Sequence, residues 1–157
     1  MKKIISIFFV SASLIGCASI ESTVAKAYVP SNESQLSLSV KKDSGVSIPS
    51  EQGQLLENQI REGLSKNGLT VSNEINSQHS VIVIIHTFKM RADGARLFVG
   101  ILAGCDDINS TVIVTDKLSG KEIGNAKISI NECAAWGVAS QVITKFTDGV
   151  VAYLTNK

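Results

Sequence analysis

The stretch Ile108-Asn109-Ser110-Thr111-Val112-Ile113-Val114-Thr115, then Asp116-Lys117-Leu118-Ser119-Gly120-Lys121, then Glu122-Ile123-Gly124-Asn125-Ala126-Lys127-Ile128-Ser129-Ile130, decides the fold. Two β-branched runs around a glycine-bearing turn read as a β-hairpin, with strands over 108–115 and 121–130. Ile108, Val112 and Val114 occupy even positions, as do Ala126, Ile128 and Ile130. One buried face shared by both strands requires Val112 opposite Ala126, because a one-residue slip turns every side chain to the other face. That register sets Lys117 opposite Lys121, with Gly120 in the left-handed position of a type I turn with a G1 bulge. A four-residue loop closed by Asp116 and Lys121 gives the slipped register, and the apolar pattern rejects it. Ile113 and Ile123 are the two apolar residues left unexplained.

Continued outward, the register sets Cys105 opposite Cys133, on the polar face with Asn109, Thr111, Lys127 and Ser129. In an oxidising compartment a Cys105–Cys133 disulfide is expected there. It closes a loop of 29 residues, which in the chain-entropy account stabilises by about 3 kcal/mol. Two free buried thiols are the alternative. No histidine or third cysteine lies near in sequence to make a metal pair, and no metal or cofactor is expected.

On the N-terminal side, Leu36-Ser37-Leu38-Ser39-Val40 alternates as a half-buried strand. A helix is expected from a Ser50 N-cap to about Asn67, with Leu56, Ile60 and Leu64 on one stripe and Asn67-Gly68 as its stop. Leu69-Thr70-Val71 starts a short strand. The run 81–85, extending through Phe88, predicts a central strand covered on both faces. After the hairpin, Ala139, Val142, Ile143, Phe146, Val150, Tyr153 and Leu154 keep helical spacing within 134–154. The order predicts an α+β two-layer sandwich: a mainly antiparallel sheet of four to five strands with two helices on one face.

The N-terminus is a different kind of segment. Lys2 and Lys3 precede an apolar run over 4–15, closed by Leu14-Ile15-Gly16-Cys17. A basic start, a short apolar stretch and small residues at the cut make a secretory signal. The run falls short of the roughly 20 residues of a spanning helix. The Leu-Ile-Gly-Cys ending resembles a bacterial lipobox, which implies cleavage after residue 16, a diacylglycerol on the Cys17 thiol and palmitate-type acylation. Ala18, rather than Asp, implies by the same resemblance the periplasmic face of the outer membrane. The expected organisation is therefore a lipoprotein signal peptide at 1–16, a lipidated cysteine and flexible tether at 17–35, and a single α+β domain at 36–157. The formal charge falls from +1 to −1 once Lys2 and Lys3 leave. With no basic surplus for phosphates, nucleic acid is not an expected partner.

No catalytic constellation stands out. His86 reads as a satisfied or half-exposed strand histidine rather than a catalytic one, and His79 is the only other. Asp106 and Asp107, adjacent in a strand, point to opposite faces and so make no acid–base pair; they read as loop solvation or a strand-start cap. No serine lies in Gly-x-Ser-x-Gly, and Gly94, Gly100 and Gly104 lack a phosphate-cradling spacing. Arg96 beside Leu97, Phe98 and Val99 offers a candidate ligand site, Arg96 with Phe98, for a carboxylate or phosphate. A snorkelling surface arginine is the plainer reading.

The stretch Arg96-Leu97-Phe98-Val99-Gly100-Ile101-Leu102-Ala103-Gly104, the turn Asp116-Lys117-Leu118-Ser119-Gly120-Lys121 and the late Gly149-Val150-Val151-Ala152-Tyr153-Leu154 resemble bacterial lipoproteins grouped as domain of unknown function 4410. The resemblance covers about 36–154 and implies no assigned activity. The expectation is a non-enzymatic, lipid-anchored envelope lipoprotein, held to the membrane by its N-terminal lipid and acting as an accessory or interaction domain for an envelope partner. A small-ligand or lipid-binding periplasmic module and a structural or stress-related envelope protein are the alternatives.

Overall fold

A computed structural model describes residues 19–31, 35–73, 75–91, 104–133 and 139–157. The signal at 1–16, Cys17, and the Arg96 and Phe98 pair lie outside the described residues. The elements are β1 (Ser19–Lys26), β2 (Gln35–Lys42), α1 (Ser50–Lys66), β3 (Thr70–Val71), β4 (His79–Lys89), β5 (Asp106–Asp116), β6 (Glu122–Glu132) and α2 (Ala139–Thr155).

β5 and β6 pair in the expected register. Ile108 faces Ile130 and Val112 faces Ala126, and each even-numbered residue from Asp106 to Val114 is buried. At the turn the outcome differs from expectation. The Asp116 N–H donates to the Lys121 carbonyl at 2.9 Å, so the hairpin closes in the slipped register. Gly120 does adopt φ +67°. Thr115 pairs with Glu122 whereas Val114 pairs with Gly124, which makes Ile123 the extra residue of a bulge. The bulge reconciles the two registers and accounts for Ile123, whose side chain then packs against the core from the edge.

The sheet has six strands in the order β1-β6-β5-β4-β2-β3, more than the four to five expected. It is mixed: β2 runs parallel to both β3 and β4, and the other pairs are antiparallel. A parallel neighbour needs a crossover, and α1 supplies it. The tether expected over 17–35 is corrected at residues 19–26. They form β1, paired along β6 from Ser19 opposite Asn131 to Val24 opposite Ala126, so the sheet begins at Ser19 rather than Leu36. Tyr28, just beyond, is buried.

α1 and α2 lie side by side on one face. Leu56, Ile60 and Leu64 of α1 are buried, as are Val142, Ile143, Phe146, Val150 and Leu154 of α2. They cover Leu36, Leu38, Val81, Val83, Ile85, Ile108, Val112, Ala126, Ile128 and Ile130, which together form the core. The helix start is one residue earlier than expected, with Pro49 as N-cap and no side-chain cap hydrogen bond. β4 is central, but among the described residues the helices cover one face of it: Ile82 and Ile84, on the other, are half-buried.

A methyl at Gly124 would sit 2.8 Å from Tyr28 Cβ and 2.7 Å from the Tyr153 hydroxyl. We predict that Gly124→Ala destabilises the domain by about 1–3 kcal/mol, the usual range for overpacking, measured by urea unfolding.

Candidate functional site

With α1 and α2 on one face, no described residue outside the sheet and its flanking loops covers the other. The centre of that other face is His86. Ile85 pairs with Ser110 and Thr87 with Asn109, so His86 is an extra residue in β4. A bulge of this kind re-aims a side chain. Here the imidazole spans two elements: Nδ1 lies 2.7 Å from Asp43 Oδ2 and Nε2 lies 2.8 Å from Thr111 Oγ1. The distances fit an imidazole that donates to Asp43 and accepts the Thr111 hydroxyl. Beside it, Glu21, Thr23, Asn109, Lys127 and Ser129 line a shallow hollow of about 280 Å³.

The order carboxylate, imidazole, hydroxyl is that of an acyl-transfer triad. Thr111 sits mid-strand, between Ile84 of β4 and Lys127 of β6. The hollow presents donors and acceptors, with Glu21 and Lys127 in its lining and Asp43 on the far side of His86, suited to a polar ligand or a polar partner surface.

Two further polar groups sit on the helix side. Asp106, fully buried, accepts from the Arg91 backbone N–H at 2.7 Å and from its guanidinium Nη2 at 2.9 Å. Arg91 also donates to the Glu132 carbonyl. The Glu132 carboxylate receives Lys145 of α2 at 2.9 and 3.0 Å. This ionic staple ties β4, β5, β6 and α2 at one end of the sheet. The Cys105–Cys133 disulfide joins β5 and β6 beside it, with the Cα atoms 4.2 Å apart. Asp106 is thus corrected from a solvating or capping residue to a buried ion-pair partner, while Asp107 on the opposite face accepts from Asn109. The hairpin parity held the signal: Asp106 and Glu132 share the even-numbered face of Ile108 and Ile130, and a buried acid requires a cation.

At the opposite end the Tyr28 hydroxyl meets His79 Nδ1 at 2.9 Å. Asp116 there accepts from the Ser119 hydroxyl and N–H, which hold its carboxyl below the usual range. That contribution to the turn is present at neutral pH and fades as pH falls through the lowered value. The Tyr153 hydroxyl donates to the Lys26 carbonyl at 2.9 Å. Its pKa is pushed up to about 12, chiefly by burial and then by Glu122 and Tyr28.

Asp106→Asn leaves a buried guanidinium without its counter-charge. We predict a loss of about 3 kcal/mol or more, against no more than about 0.5 kcal/mol for Asp107→Asn on the surface; chemical unfolding of the two variants compares them. Reduction of the disulfide is expected to cost about 3–4 kcal/mol in the same assay.

No family model matches the sequence, that of domain of unknown function 4410 included, and no curated protein matches it. Solved structures do match. A PelC dodecamer from Paraburkholderia phytofirmans superposes with TM-score 0.62 at 11% identity, covering 88% of this chain and 97% of that one. A point variant of the same PelC gives 0.60 at 13%, with the same coverage. Protein XCC0632 from Xanthomonas campestris, assigned to domain of unknown function 330, gives 0.54 at 12%, covering 85% of this chain and 94% of that one. At these identities the likeness is one of fold: the chain shares the architecture of PelC and of a domain of unknown function 330 protein.

Proposed function

We propose that this chain is a non-enzymatic lipoprotein of the cell envelope, anchored through Cys17 on the periplasmic face of the outer membrane and acting as an accessory domain that binds another envelope component. The observation that carries the reading is the run ending Leu14-Ile15-Gly16-Cys17, set two residues ahead of the first strand of the sheet. A disulfide between Cys105 and Cys133 fits an oxidising compartment. The open sheet face supplies a polar surface that no part of the described domain covers. The PelC structures of this fold are dodecamers, which supports a role exercised through assembly rather than turnover.

A small polar ligand in the hollow beside His86 is the second reading, favoured by the Asp43–His86–Thr111 chain. In that case Thr111→Val should lose a co-purifying ligand while the fold is kept.

The test of the main reading is the intact mass of protein purified from membranes, before and after reduction and alkylation. We expect residues 17–157 plus acyl groups, with two cysteines alkylated only after reduction. Cys17→Ser should move the protein from membrane to soluble fraction. An unacylated chain in the membrane fraction would overturn the anchor.

A further inference from the structure

The edge strand β1 carries two different faces. Glu21 and Thr23 border the polar hollow, while Ile20 and Val24 point to the helix side. There β1 and α2 leave a groove of about 530 Å³, lined by Ile20, Val24, Ala27, Gly149, Ala152 and Tyr153. The helix comes close at one point: a Cβ on Gly149 would lie 3.1 Å from Ile20 Cγ2. Elsewhere it leaves the strand bare, and Ile20 is 44% and Val24 50% exposed; Val29, three residues past the strand, is 74% exposed. The other large apolar side chains exposed among the described residues are Ile75 and Leu118. Three of the five therefore fall within one ten-residue stretch.

That stretch is the one next to the anchor. The chain ahead of β1 ends at Ala18, and two extended residues reach only about 7 Å. A lipid on Cys17 therefore holds the Ser19 end of β1 close to the bilayer surface. Lys157 and Asp148 line the groove, one cation and one acid; the Lys157 ammonium donates to Asn67 Oδ1, and that of Lys26, at the end of the strand, to the Glu122 carbonyl.

We infer that the β1–α2 groove face is the seat of the domain on the phospholipid bilayer, with Ile20 and Val24 entering the headgroup–acyl boundary. The inference rests on the reading of Cys17 as lipidated. Apolar side chains at that boundary add their burial to the anchoring of the acyl chains. Because Glu21 and Thr23 alternate with Ile20 and Val24, the seat turns the polar open face away from the lipid.

The test uses the full lipidated protein in vesicles of phosphatidylethanolamine and phosphatidylglycerol. Val24→Cys and Leu118→Cys each carry a nitroxide, the native thiols being acylated or bridged. The expected result is that the label at position 24 is shielded from a water-soluble relaxant and relaxed by oxygen, while the label at position 118 shows the reverse. Equal aqueous exposure of the two labels on vesicle-bound protein overturns the seat and leaves the anchor standing. Failure of the unlabelled protein to float with vesicles, with a mass lacking acyl groups, overturns the anchor reading and the seat with it. Val24→Ser should keep the thermal unfolding midpoint and weaken vesicle binding several-fold when the chain carries a single acyl group.

Discussion

The pairing of β5 with β6 that sets Ile108 against Ile130 and Val112 against Ala126 is the constraint on which the rest depends. It puts one continuous apolar plane on one side of the sheet, and both helices must cover that plane. β1 extends it through Ile20 and Val24, and β4 through Val81, Val83 and Ile85. The opposite plane is left polar along β1, β6 and β5.

Much of this was legible because parity is a strong signal in β-branched strands. The register, the cysteine pairing and the two helical stripes all follow from apolar positions counted in twos or threes and fours. Ile113 and Ile123 marked where the count failed. Ile123 proved to be a bulge residue, and Ile113 faces the open side half-buried. β1 was not legible because an edge strand rich in Ser, Thr and Glu has only Ile20 and Val24 to show a period, and its stability comes from β6. The parallel joins escaped because β3 is two residues long and nothing local distinguishes a parallel from an antiparallel neighbour. The candidate site escaped more thoroughly. Asp43, His86 and Thr111 come from three elements, and only the bulge at His86 brings them together.

Both bulges act at places where the pattern would otherwise continue. At Ile123 the extra residue lets a four-residue turn serve a strand pair of the other register. At His86 it keeps Phe88 on the core side after Val81, Val83 and Ile85, and leaves the imidazole to the open face. The ionic staple at Arg91 and Asp106 lies just past this second bulge. Its buried charges cost desolvation, and the neighbouring disulfide holds the two strand ends that carry them.

The pairing of β1 with β6 also governs the timing of folding. Ser19 finds its partner at Asn131, more than a hundred residues later. The first strand to leave the ribosome is therefore among the last to be placed, and loop closure over that span opposes early docking. Until β6 emerges, Ile20, Val24 and the unpaired backbone of β1 are presented to whatever surrounds the nascent chain. Such a segment is a natural handle for chaperones and, when synthesis stalls, the first point at which proteolysis or aggregation would begin.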